Sequence, residues 1–384
     1  MHRSLKWRLL LGAFLEDFIL IYPFYQLMML AQGVNIAQIS GLFILWSLVS
    51  IVAEIPTGVL ADRIPRRYLL VTAQILRAAG FGVWLVWPDW WGYATGFVLW
   101  GISGAFHSGT YQAFVYDELA AVGQSQRYTW WQGRLNALTE LGLMLCAFAG
   151  AAAIQWGYDG VGYISIAVGL ITAGLYATLP SAPPREQLAD TGYWHELKVG
   201  VGEALRTPAI LRLAILGAVV GSVYGVMEEY TPVYAAIPGL ELWQISLLEG
   251  IIGVAVIGGS LVAHRLQAVG DKGFAWLLAL AGLALIAAAA PWRIPGFGAV
   301  MLGFGLLKLL EVAYDARLQH EISSHRRATI TSVSGFILEI LSIGLYGFFG
   351  LLAQIYGTLA AFGWIGGGVT IVGLLYIGKK FRDK

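Results

Sequence analysis

Runs of about 20 predominantly apolar residues return from one end of the chain to the other, and no other feature constrains the fold as tightly. In hydrocarbon a backbone must satisfy its own N–H and C=O groups, and a run of that length does so as a helix. Hydrophobic residues make up 58% of the chain and charged ones 12%, against roughly 25% charged in an ordinary soluble domain. Such a chain cannot clothe itself in a water-facing surface. It reads as an all-α integral membrane protein with twelve spans, at 9–31, 39–61, 69–87, 92–116, 130–155, 160–179, 209–237, 244–264, 274–291, 298–320, 328–355 and 360–378. The first run is too long for a signal-peptide core and has no clear cleavage site after it, so it is read as a span.

The basic residues outside the spans fall on alternate loops. Arg3, Lys6 and Arg8 precede the first span, and Arg63, Arg66 and Arg67 follow the second. Arg127, Arg185, Lys198, Arg265, Lys272, Arg326 and Arg327 continue the alternation to the Lys379–Lys384 tail, while the opposite loops offer Arg293. The positive-inside rule then puts both termini in the cytoplasm. Cys146, the single cysteine, lies inside a span. It reads as a small buried residue, leaving no disulfide framework or cysteine metal site.

Residues 181–208 break the hydrophobic rhythm and divide the chain into bundles at 1–180 and 209–384, six spans each. Within this linker, Trp194 to Leu205 has near-helical amphipathic spacing, as expected of a helix lying on the cytoplasmic face. A faint repeat supports the division. Pro23-Phe-Tyr25, Ala37-Gln-Ile-Ser40 and Ala61-Asp62-Arg63 recur in order as Pro232-Val-Tyr234, Trp243-Gln-Ile-Ser246 and Ala263-His264-Arg265.

After the second span stands Glu54-Ile-Pro-Thr-Gly58-Val-Leu-Ala-Asp62-Arg63-Ile-Pro65-Arg66-Arg67. Its Gly-x-x-x-Asp-Arg-x-x-Arg-Arg pattern resembles the loop 2–3 signature of the major facilitator superfamily of secondary transporters. Gly104 to Asp117 in span 4 and Arg326 to Ser332 at span 11 are similar to a bacterial branch that also carries Glu-x-Pro-Thr-Gly before the loop. Pro65 replaces the usual glycine, and Gln112 stands where an acid is expected. The resemblance implies two pseudo-symmetric six-helix bundles, a cavity lined by spans 1, 4, 7 and 10, and alternating access. It also implies a cytoplasmic gate made of Glu54, Gly58, Asp62, Arg63, Arg66, Arg67 and Asp117. In that gate Asp62 would face the start of span 11, and Arg63 and Arg66 would pair with Asp117 or Glu118.

An ionised group at the centre of a bilayer costs a few kcal/mol, about 2.5–3.5 on insertion scales, so each one inside a span is a functional candidate. The spans hold Glu16, Asp17, Glu54, Glu140, Glu228, Glu229, Glu249, Glu311, Asp315 and Glu339, and set Arg77, Arg134 and Lys308 against them. On the cavity-lining spans the candidates for proton coupling are Glu16 or Asp17, then Glu228 or Glu229. Adjacent helical residues point about 100° apart, so at most one of Glu16 and Asp17 faces a cavity squarely. Candidates for contact with substrate are Tyr22, Tyr25, His107, Tyr111, Gln112, Tyr230, Glu249, Lys308, Glu311 and Glu339. His107 reads equally as a proton relay, a substrate partner or a satisfied buried histidine, and Glu311 as the neutralising partner of Lys308 three residues away. Trp90, Trp91, Trp130, Trp131 and Trp292, at span ends, read as interface anchors.

No nucleotide loop, His-Glu-x-x-His or Gly-x-Ser-x-Gly occurs, so the chain is read as a transporter and not an enzyme. The expectation is a monomeric proton-coupled antiporter of a bacterial cytoplasmic membrane, exporting a neutral or cationic organic solute. The alternatives are a proton-coupled uptake symporter for a small metabolite and a divalent metal exporter. The expected partners are the solute, protons and the bilayer, with no nucleic acid, cofactor or resident metal.

Overall fold

The computed structural model describes residues 3–180, 208–290, 293–321 and 327–382. Among these, every regular element is helical: α1 (Arg3–Glu16), α2 (Tyr25–Ala31), α3 (Ile36–Arg63), α4 (Arg66–Val86), α5 (Trp90–His107), α6 (Thr110–Ala120), α7 (Tyr128–Ala153) and α8 (Gly157–Ala177). Then follow α9 (Pro208–Glu229), α10 (Thr231–Ala236), α11 (Leu242–Val262), α12 (Asp271–Ala288), α13 (Arg293–Glu321), α14 (Arg327–Tyr356) and α15 (Thr358–Arg382). The amphipathic stretch expected within 181–208, and Trp292, lie outside the described residues.

Nine stretches among the described residues are long and apolar enough to cross a membrane, and one of them, 125–177, contains both α7 and α8. The first and fourth predicted spans are each divided between two shorter helices. Residues 17–24 separate α1 from α2, and Ser108 and Gly109 separate α5 from α6. Gly109 sits at φ +69°, a conformation that side-chain-bearing residues avoid. In the first and seventh spans the breaks fall beside Pro23 and Pro232, since proline has no N–H to continue the ladder. The Pro-x-Tyr element of the internal repeat therefore marks equivalent interruptions.

Two compact units form. The first comprises 1–34, 42–190 and 241–250, and the second 35–41, 191–240 and 251–384. In the first, α4 packs against α5 and α8, and α1 against α7 and α8. In the second, α12 packs against α13 and α15, and α9 against α13 and α14. Span 3 thus contacts spans 4 and 6 as span 9 contacts spans 10 and 12, the arrangement a duplicated six-helix unit produces.

The Gln-Ile-Ser element of the repeat also has a physical role. Asn35 and Gln38 exchange two 2.9 Å bonds, side chain to backbone in each direction, at the start of α3. This is a reciprocal cap of the kind that satisfies free amides at a helix start. Gln244 accepts the Glu241 amide at 2.9 Å before α11. Two residues beyond each glutamine a serine docks. Ser40 Oγ lies 2.6 Å from the Tyr230 hydroxyl, and Ser246 Oγ donates to the Ala147 carbonyl at 2.6 Å.

Small residues carry the close approaches, as expected where lipid supplies no hydrophobic drive between helices. A Cβ at Gly142 of α7 would collide with the Phe14 carbonyl of α1, whereas one at Gly104 meets nothing within 4 Å. Gly142→Ala is therefore expected to cost about 1–3 kcal/mol through overpacking. Its thermal unfolding midpoint should fall in detergent while that of Gly104→Ala does not. Equal midpoints would show that α1 and α7 are not in tight contact.

Candidate functional site

α4 carries Gln74 and Arg77 one turn apart, so both face the same way. That face meets the end of α1, where Glu16 is the last helical residue. Arg77 is 4% exposed and Glu16 9%, and a charge at that depth requires a partner. Arg77 Nη1 lies 3.2 Å from Glu16 Oε1, and Arg77 Nη2 donates to Gln74 Oε1 at 2.6 Å. Gln74 Nε2 donates to Glu16 Oε2 at 2.7 Å, and the Tyr176 hydroxyl of α8 donates to the same oxygen at 3.1 Å. His107, the last residue of α5, brings Nε2 within 3.3 Å of Glu16 Oε2, out of line for a hydrogen bond. Its ring stacks on Tyr111 at 5.2 Å, and the Tyr111 hydroxyl donates to the Leu9 carbonyl at 2.8 Å. Both oxygens of Glu16 are thus committed to protein partners.

Asp17 occupies a different environment. Its Oδ1 is 3.8 Å from Arg77 Nη1 and accepts a long 3.4 Å bond from the Tyr22 hydroxyl. Its side chain is 31% exposed, against 11% for that of Glu16. Glu140 of α7 stands close enough for its charge to act on Asp17. The result is two adjacent acids and one arginine, with the arginine bound chiefly to the first acid.

In the second unit Lys308 Nζ is 3.2 Å from Glu311 Oε2 and 4.9 Å from the centre of the Tyr224 ring. Tyr224 donates to Glu228 Oε1 at 2.9 Å. Glu229 and Glu339 lie within electrostatic reach of Tyr346. Tyr230 is wholly buried, stacked on Phe349 at 3.6 Å. Tyr25 is likewise buried, among Trp84, Phe97 and Trp100. Neither tyrosine offers a free face. Glu249 belongs to the first unit, near Cys146. Among the described residues no three His, Cys, Asp or Glu side chains assemble as a metal cage.

Of the residues expected at a cytoplasmic gate, Arg66 pairs with Asp117 at 3.2 Å. Arg63 and Glu54 are exposed, and Arg67 donates to the Tyr68 hydroxyl at 2.7 Å. Gln112 lines a 360 Å³ recess with Arg66, Tyr116, Asp117 and Tyr128. The surroundings of Gly58 and the side chain of Asp62 lie outside what the structure describes. Among the tryptophans expected at span ends, Trp91 and Trp130 are exposed at 66% and 49%, but Trp131 is 4% exposed. Trp131 packs into the apolar core with Leu5, Leu9 and Leu135, because the helix turns its face inward where its neighbour faces out.

Sequence reasoning did not assign roles to Arg77, Gln74 or Tyr176. The spacing Gln-x-x-Arg inside an apolar run is the signal that points to the first two. Glu16→Gln leaves the buried Arg77 with only the longer 3.8 Å contact to Asp17, and is expected to cost about 3–5 kcal/mol. The double variant Glu16→Gln/Arg77→Gln should recover part of that loss in thermal unfolding. Equal stability of wild type and Glu16→Gln would show that the ion pair does not hold the helices.

The sequence profile described as Major Facilitator Superfamily matches residues 9–345. No curated protein matches the chain significantly. Among solved structures, the nucleoside transporter NupG superposes with a TM-score of 0.78 at 13% identity, over 98% of each chain. A bacterial homolog of the human lysosomal transporter Spinster, in an inward-facing and unoccupied conformation, gives 0.73 at 15%, over 97% of this chain and 94% of that one. The peptide transporter POT gives 0.67 at 13%, over 99% and 93%. At these identities the likeness establishes the fold, while the profile covers most of the chain. The chain belongs to the major facilitator superfamily, and is a multi-pass membrane transporter of that type.

Proposed function

We propose that the protein is a proton-coupled secondary transporter that works by alternating access and exports a neutral or cationic organic solute in exchange for protons. The observation that carries this reading is the division of labour between Glu16 and Asp17. A proton carrier in a membrane must exist in two protonation states without unfolding its surroundings. Glu16 cannot: four side chains of three other helices converge on its oxygens, so protonating it would strand Arg77. Asp17 can. It is more exposed, has one long hydrogen bond, and takes only the remainder of the arginine's charge. Asp17 is therefore the carrier and Glu16 the fixed counter-ion. Both termini are placed in the cytoplasm of a bacterial cell, and the protein acts as a monomer.

In everted vesicles energised to an acidic interior, the protein should accumulate fluorescent lipophilic cations, and a protonophore should abolish the uptake. Asp17→Asn should lower accumulation at least about tenfold while unfolding at the wild-type temperature, as a dedicated proton site requires. Wild-type activity in Asp17→Asn would remove Asp17 as the carrier. No accumulation of such cations by the wild type would replace export with inward carriage of a narrow metabolite.

A further inference from the structure

Next to Asp17 the first unit holds a run of aromatic rings that the proton chemistry does not use. The Tyr22 ring stacks on Trp100 at 5.4 Å with 13° between planes, and Trp100 meets Trp46 at 5.1 Å and 33°. All three are partly exposed, unlike the neighbouring Trp84, Tyr25 and Phe43, which are buried. The Trp46 Nε1–H is buried and has no hydrogen-bond partner. A donor left so in a low-dielectric interior is costly unless something arrives to accept from it. At the other end of the run the Tyr22 hydroxyl reaches Asp17. The sequence thus sets a carboxylate at one end, an indole donor at the other, and aromatic faces between them.

We infer that the solute is a planar heteroaromatic molecule with a hydrogen-bond acceptor on its ring system, which takes the Trp46 N–H while the ring lies against Trp46 and Trp100. Its protonated or N–H-bearing end reaches Asp17. The inference rests on the transport reading above and adds the substrate class. Aromatic faces attract flat π-systems and cations alike, so stacking alone does not discriminate. The indole donor does, because an apolar cation lacking an acceptor leaves it unsatisfied. Two ring-to-ring steps separate Tyr22 from Trp46, so a solute engaging both ends is an extended flat one. Occupation of Asp17 by the solute's donor would also make proton and solute compete for one carboxylate, as exchange requires.

The test is equilibrium binding to purified protein in lipid nanodiscs with no proton gradient, so that it reads out even if proton coupling fails. Norfloxacin serves as the flat probe, carrying ring-bound acceptors and a protonated amine. Tetraphenylphosphonium serves as the non-planar cation without an acceptor. Trp46→Phe keeps a ring and removes the N–H, and should weaken norfloxacin binding by about three- to tenfold while leaving tetraphenylphosphonium binding unchanged. Unchanged norfloxacin affinity in Trp46→Phe overturns the inference, as does wild-type preference for tetraphenylphosphonium. If Trp46→Phe does not purify as folded protein, the indole N–H resonances of ¹⁵N-tryptophan-labelled wild type decide the matter. A downfield shift of one indole proton on adding norfloxacin, absent with tetraphenylphosphonium, supports the assignment, and no shift overturns it.

Discussion

The contact between Arg77 and Glu16 holds together much that would otherwise be unstable. A guanidinium in hydrocarbon needs a partner for its charge, and here the partners of its two terminal nitrogens come from α1 and from α4 itself. Glu16, held by that arginine, in turn fixes Tyr176 on α8 and faces His107 on α5. Four helices of the first unit therefore converge on one carboxylate. The interruption that follows Glu16 is tolerable for the same reason. Broken turns expose backbone groups that lipid cannot satisfy, and neighbouring side chains meet them. Ser165 accepts from the Ile21 amide at 3.0 Å, and Thr139 donates to the Ala13 carbonyl at 3.1 Å. A span that ends at a paired acid and restarts after Pro23 leaves Asp17 in a segment free of helical constraint.

The second unit places its base differently. Lys308 pairs with a glutamate on its own helix and also lies over the face of Tyr224. Lysine offers a compact charge on a flexible stem, whereas the arginine fork locks planar partners in place. One unit thus contains a rigid, multi-helix ion cluster and the other an adaptable one. Within a duplicated fold the same demand, a base among acids, has been met by a fixed solution and a movable one.

Much of this organisation is readable from residues alone. Apolar run length announces the helices. The Pro-x-Tyr and Gln-Ile-Ser echoes mark where spans break and where serines dock. The helix breaks themselves are less legible at span 4, where the signal is a Ser-Gly pair inside an apolar run that small residues populate for packing reasons anyway. The relation between Glu16 and Asp17 is not legible at all. Adjacent acids have equal hydropathy and equal claim to a cavity, and only the position of Arg77, 60 residues on, separates the saturated one from the exposed one. Long-range pairing of that kind leaves no periodicity in a single sequence.

The starts of α4 and α12 show how a repeat can keep a contact while reversing its sign. Arg66 begins α4 and pairs with Asp117 of α6. Asp271 begins α12 and meets Arg317 of α13 at 3.2 Å and Arg212 of α9 at 3.5 Å. A helix N-terminus carries a partial positive charge. Asp271 is stabilised there before any partner arrives, and accommodates two arginines, one of which also covers Phe274 at 3.7 Å. Arg66 sits against its own helix dipole and depends on Asp117 for compensation. The first unit's contact is accordingly the one whose geometry is set by its partner, and the second's the one set by its own helix. A change in the surroundings of Asp117 would release Arg66, while the same change around Arg317 would leave Asp271 with Arg212 and a favourable dipole. The asymmetry between the units seen in their buried bases thus recurs at the starts of these two helices.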